Sequence, residues 1–205
     1  MIAIIDYGVG NLFSLKSSLA MIGAQAVVTG DADVLRSAER LILPGVGAFG
    51  DARQKLAQTG LDAALCAEAA RGKPVLGIYL GMQMLFDRSL EYGEHEGLGL
   101  IPGEVVPMAG RLPSGLKVPH IGWNALSIRR PEHPLMKNTT SGDCVYFVHS
   151  FYAANCTDSV IATAEYGIDV TAAVAKGNVM GCQFHPEKSG AAGLRLLRAF
   201  CEMEG

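Results

Sequence analysis

The chain has 205 residues, 49% hydrophobic and only 18% charged, with a net charge of −3 and 25 glycines. That composition excludes a disordered or coiled-coil chain, and it offers no basic surface for nucleic acid or an anionic membrane. The five cysteines (66, 144, 156, 182 and 201) are scattered and lack C-x-x-C spacing. Reduced thiols in a cytoplasmic protein are therefore expected, with no disulfide framework, metal site or cofactor.

Ile2 to Ile5 is a continuous apolar run, as expected of a strand buried on both faces. Asp6 interrupts that run and no basic segment precedes it, so no signal peptide is expected. No later apolar run reaches the ~20 residues of a membrane span. After the turn at 6–10, Asn11 is a candidate N-cap for a helix with Leu12, Leu15, Leu19 and Ile22 on one stripe, ended by Gly23. Ala26 to Thr29 and Leu41 to Leu43 read as strands, the second stopped by Pro44-Gly45. Residues 51–70 read as one helix, Val75 to Ile78 as a fourth strand, and Leu80 to Leu90 as helix. This alternation predicts a parallel sheet with right-handed crossovers, and its sites should lie beyond the carboxyl ends of the strands.

The second half is richer in strand. Segments 97–108, 118–128, 145–152 and 160–163 are candidates, and 170–175 with 179–184 flank the hairpin turn Lys176-Gly177-Asn178. Ser189 is placed to cap a last helix with Ala191, Leu194, Leu197 and Cys201 on its apolar face. With no linker or repeat, residues 1–205 read as one domain.

Three short stretches could carry chemistry. Gly77-Ile78-Tyr79-Leu80-Gly81 has the G-x-X-x-G form of a nucleophile elbow between strand and helix. The central side chain of such a turn projects from the sheet edge, and the next N–H lies at a helix N-terminus. Serine or cysteine belongs at the centre, but Tyr79 stands there; alone, the segment reads as an ordinary turn. His185-Pro186-Glu187 holds a carboxylate beside a histidine, and in extended chain residues i and i+2 project to one side. A surface turn would also explain it. Pro44-Gly45-Val46-Gly47 offers free N–H groups at a strand end, or is simply a tight βα turn. Gly8-Val9-Gly10 lacks the third glycine of a dinucleotide fingerprint, and His95, His120, His133 and His149 lack metal-ligand spacing.

Taken in order, strand–PGVG, strand–GIxLG–helix and late strand–FHPE resemble the class I glutamine amidotransferases. Asp6-Tyr7-Gly8, Pro119-His120-Ile121-Gly122-Trp123-Asn124 and Tyr146-Phe147-Val148-His149-Ser150-Phe151-Tyr152 extend the resemblance along the chain. It implies a flavodoxin-like three-layer α/β sandwich with a mostly parallel central sheet and a β-rich second half. It also implies hydrolysis of glutamine to glutamate and ammonia. The branch it is most similar to acts in histidine biosynthesis, as a heterodimer with a (β/α)8-barrel cyclase that receives the ammonia through a channel. A surface-polysaccharide branch is the alternative.

The resemblance makes His185 the general base and Glu187 its orienting group. Oxyanion donors would be backbone N–H groups of Leu80 and of Val46-Gly47. Gly47, Gln83, Glu91, His149, Ser150 and Phe151 would surround glutamine, and Asn11, Trp123 and Lys188 would face the partner. The departure is Tyr79, where the family has cysteine. A phenol with pKa about 10 is mostly neutral at pH 7, and its oxygen lies a ring's length beyond the sulfur position. The chain is therefore expected to be a subunit of this kind that lacks glutaminase activity; the alternative is a non-catalytic partner of an ammonia-dependent cyclase. Cys182, on the late strand, is expected to be a buried thiol rather than a substitute nucleophile.

Overall fold

The computed structural model describes residues 1–203. In chain order, β1 (Ile2–Ile5), α1 (Leu12–Met21), β2 (Ala26–Thr29), α2 (Ala32–Ser37), β3 (Arg40–Leu43), α3 (Phe49–Gln58), α4 (Leu61–Ala70), β4 (Val75–Ile78) and α5 (Leu80–Met84) form the first part. Then follow β5 (Arg88–Ser89), β6 (His95–Glu96), β7 (Glu104–Pro107), β8 (His120–Ile128), β9 (Cys144–His149), β10 (Phe151–Ala154), β11 (Val160–Glu165), β12 (Asp169–Lys176), β13 (Val179–Cys182) and α6 (Gly190–Glu202).

Alternation along β1 sets up the layers. Ile2 and Ile4 face one side, where Leu15 and Leu19 of α1 and Leu196, Leu197 and Phe200 of α6 join them. Ala3 and Ile5 face the other, against Leu35, Leu56, Leu61 and Leu65 from α2 to α4. Each face of the strand buries its own stripe of helix, which is why β1 carries no polar position.

The nine-stranded sheet has the order β2-β1-β3-β4-β13-β12-β11-β8-β9. Its first five strands pair in parallel and match the flavodoxin-like order. The neighbours from β13 outward are antiparallel. The sheet is thus mixed, parallel through its first five strands and antiparallel beyond them, where tight turns such as Gly177-Asn178 permit only antiparallel neighbours. A second sheet, β10-β7-β5-β6, sends Val105 and Ala153 into the core beneath α3 to α5.

Several expected boundaries shift for identifiable reasons. The helix expected at 51–70 is two helices, broken at Gly60 with φ 70°. The helix expected to run to Leu90 ends at Met84. Its last carbonyls are taken by N–H groups of the 97–101 loop, with Leu98 on Met84 (2.8 Å) and Leu100 on Leu85 (2.9 Å). Those residues therefore cap a helix, and the strand expected from 97 begins only at Glu104. The 145–152 strand splits at Ser150, sending β9 to one sheet and β10 to the other. On α6 the buried face is Gly193, Leu196, Leu197 and Phe200, whereas Ala191 is exposed. Among the described residues no helix is long and apolar enough to cross a membrane.

Candidate active site

The carboxyl ends of β1, β3, β4 and β13 meet at one sheet edge. Tyr79 leaves β4 with φ 56° and ψ −113°. For a bulky side chain this conformation is strained by about 1–3 kcal/mol. It is held from both sides: the Tyr79 N–H donates to the Cys182 carbonyl (2.8 Å), and the Gln83 N–H donates to the Tyr79 carbonyl (3.1 Å). The flanking glycines serve close approach rather than the turn itself. A Cβ on Gly81 would lie 1.8 Å from the Leu43 carbonyl oxygen, and one on Gly77 would lie 2.7 Å from Gly81 O. A Cβ on Gly45 would lie 2.8 Å from the Tyr7 hydroxyl and 3.0 Å from Cβ of Leu80. These contacts set the Pro44–Gly47 loop beside the first N–H of α5, which no helical turn can satisfy.

His185 and Glu187 lie just beyond β13. The expected extended pairing is not what joins them. His185 is extended, but Pro186–Lys188 form a 3-10 turn that folds the carboxylate back onto the ring. Nδ1 of His185 is 2.8 Å from Oε1 of Glu187, and the side chains are only 4% and 3% exposed. The carboxylate accepts, so Nδ1 carries a proton, and Nε2 is the ring nitrogen left to exchange one with a ligand. Ser189 does not cap α6 with its side chain. Its hydroxyl donates to the His185 carbonyl (2.6 Å) and accepts the Tyr146 N–H (3.0 Å), stapling this loop to β9.

The Tyr79 ring stacks on His185, with centroids 4.7 Å apart and planes 25° from parallel. Burial raises the Tyr79 phenol above its ordinary pKa, and the negative charge of Glu91 adds to the effect. The ring thus remains a neutral phenol across the face of the base.

Behind Tyr79, the buried Gln83 donates from Nε2 to the Phe151 carbonyl (3.2 Å) and to Oε1 of Gln183 (3.0 Å). Glu91 accepts the Phe49 N–H (2.7 Å) at the start of α3, and burial raises its pKa. Both ring nitrogens of His149 are occupied, by the Phe151 carbonyl (2.8 Å) and by His120 (3.0 Å). His149 can therefore reach a ligand only through Phe151 or its own backbone. Ser150 lies at the β9–β10 switch, where its carbonyl accepts the Met108 N–H (2.9 Å). Gly47, with φ 92°, is exposed at the loop tip, and Val46 is half-buried. A narrow crevice lined by Asn11, Val46, His185 and Glu187 runs beside the pair.

Trp123 is 55% exposed and meets Tyr146 edge-on at 6.0 Å, while the Lys188 ammonium lies 5.8 Å from the same ring. Trp123 and Lys188 thus share one surface around Tyr146. Sequence reasoning gave no role to Gln183, which is fully buried, or to His120 and Asn124. Gln183 had a readable signal, since it stands two residues before His185. Among the described residues no three His, Cys, Asp or Glu side chains group as metal ligands.

A strand-to-helix elbow, a buried His–Glu pair and a glycine loop thus meet at one edge of a flavodoxin-like α/β sheet, where sites of such sheets form. The glutamine amidotransferase class-I family matches residues 3–203, and the chain belongs to that family. The imidazole glycerol phosphate synthase subunit HisH of Caldanaerobacter subterraneus subsp. tengcongensis is 50% identical over 204 residues, covering 99% of this chain and 98% of its own. The subunit of the same description from Wolinella succinogenes is 45% identical over 205 residues, covering 99% and 100%. Among solved structures, PurLQS from Thermotoga maritima matches with a TM-score of 0.75 at 22% identity, covering 97% of this chain and 96% of that one. That likeness shows the fold.

Proposed function

We propose that this chain is the glutaminase-type subunit of an imidazole glycerol phosphate synthase in histidine biosynthesis, and that Tyr79 has silenced its own hydrolysis of glutamine. Near-full-length identity of 50% to a subunit of that synthase supports the first part. The observation that carries the second is the Tyr79 ring stacked on His185.

With a thiol at position 79, the remaining groups have assignable roles. Nε2 of His185 would take the thiol proton as sulfur attacks the glutamine amide carbon, and Glu187 would support the resulting imidazolium. The oxyanion would be received by N–H groups of Leu80 and the Val46-Gly47 segment. Collapse of the intermediate expels ammonia with the proton from His185. Water then cleaves the thioester to glutamate. Gln83 and Phe151 line the approach, and Glu91 holds the start of α3.

With Tyr79 the first step fails. The phenol is neutral, its oxygen stands beyond the sulfur position, and its ring occupies the space before His185. A misplacement of about 1 Å already lowers such a rate about 100-fold. The chain then acts as the structural half of a heterodimer with a (β/α)8-barrel cyclase, with Asn11, Trp123 and Lys188 on the facing surface. The test is cyclase turnover by the co-purified complex. It should proceed with ammonium salts and fail with glutamine; equal turnover with both would overturn the reading.

A further inference from the structure

Behind Gln83 runs an unbroken chain of contacts: Phe151 carbonyl, His149, His120, Asn124 and the Glu165 carbonyl. Its proton count is unusual. A carbonyl only accepts, so Nδ1 of His149, 2.8 Å from the Phe151 oxygen, must carry a hydrogen. At the other end, the Asn124 amide donates from Nδ2 to the Glu165 carbonyl at 3.0 Å. That fixes the amide's orientation and turns its oxygen toward Nε2 of His120, 2.9 Å away. Nε2 must carry a hydrogen too. The remaining contact, Nδ1 of His120 to Nε2 of His149 at 3.0 Å, requires one more. Two neutral imidazoles supply only two hydrogens, and this arrangement has places for three.

From this geometry we infer that His120 and His149 hold a single extra proton between them and act as positioning residues for the Phe151 carbonyl and Gln83. The surroundings favour that cation on His120. Its ring stacks on Tyr166 (4.1 Å) and on Phe147 (4.8 Å), whose faces attract an imidazolium. Burial works against it and pulls both rings below the ordinary imidazole value, His149 to about 4.

The groups facing the pair are otherwise neutral. β8 contributes Asn124, β9 contributes Phe147, and β10 contributes the Phe151 carbonyl. β11 contributes the backbone of its last residue, Glu165, and the turn after it contributes Tyr166, whose hydroxyl donates to the Lys117 carbonyl. The Glu165 carboxylate is turned away onto the Gly167 N–H (2.8 Å). A second proton would place two cations in contact, so the pair titrates as one unit. When its proton leaves, two lone pairs face each other and one contact in the chain must open. The same Phe151 oxygen holds Gln83 (3.2 Å), so the opening is felt at the site. That consequence for glutamine rests on the proposed function; the shared proton does not.

The experiment is ring-nitrogen NMR of the full chain as a function of pH, with the Gln83 side-chain amide followed in parallel. Both rings should respond to a single proton uptake with one midpoint, and the Gln83 amide should follow it. His120→Asn places an amide N–H where Nδ1 stands and closes the chain without a proton. His149 should then stay neutral and the Gln83 amide should lose its pH dependence. Asn124→Asp faces Nε2 with a carboxylate and should raise the midpoint by about one unit or more. Two rings that stay neutral wherever the chain is folded would overturn the inference. So would two separate protonations, or a Gln83 amide indifferent to the titration. No glutamine turnover is needed for this reading, so loss of the glutaminase assignment would not be mistaken for its failure.

Discussion

The ring of Tyr79 lies 4.7 Å from the imidazole of His185, nearly parallel to it, while Glu187 grips the far nitrogen of that imidazole at 2.8 Å. In the proposed function, base and orienting group are therefore assembled, and an aromatic ring fills the place of the nucleophile. The elbow backbone remains in its strained left-handed conformation although it presents no nucleophile.

In a Tyr79→Cys chain bound to the proposed cyclase partner, Glu187→Gln should leave the fold intact and lower kcat for glutamine by about 10³–10⁴. The amide keeps the size of the carboxylate but removes the charge that supports the imidazolium. KM should change little, since Oε1 of Glu187 is taken by His185 and Oε2 is buried. Steady-state ammonia release, with circular dichroism as a control, checks both.

Gly81→Ala should be severely destabilising, by more than about 3 kcal/mol, because its Cβ would meet a backbone oxygen that cannot swing away. Gly142→Ala provides the contrast. Its φ is 99° but nothing lies within 4 Å of the added carbon, so only the backbone strain of about 1 kcal/mol is expected. Urea midpoints of the two variants should separate clearly.

Stability should fall on the alkaline side. Burial raises the thiols of Cys156, Cys182 and Cys201, the last to about 11, and the phenols of Tyr7 and Tyr79. In the unfolded chain these groups lose their protons first, thiols from about 8.5 and phenols from about 10. Between those values and the raised native ones the folded state holds more protons, so unfolding becomes easier as pH rises. Urea denaturation between about pH 7 and 10 should show a steady loss, and a flat profile would contradict it.

Much of this was legible in the sequence, for reasons that can be named. β1, β2, β3 and β4 are short apolar runs closed by Gly, Pro or polar turns, so their bounds are local. His185, Glu187 and the elbow glycines are close in sequence to the geometry they make. What was not legible depends on partners far along the chain. The end of α5 is set by the 97–101 loop, and Ser189 binds Tyr146 rather than its own helix. The sharing of one proton by His120 and His149 follows from strands β8 and β9 lying in register. No local pattern announces such contacts.

The central claim is tested most directly by ammonia release from glutamine, measured for this chain and for Tyr79→Cys, each bound to the proposed cyclase partner. Binding is measured alongside, so that a loss of assembly is not read as a loss of chemistry. The account predicts equal complex formation, no measurable release by the chain with Tyr79, and release restored by about 10⁴-fold or more with cysteine. Comparable turnover by the two chains would contradict it.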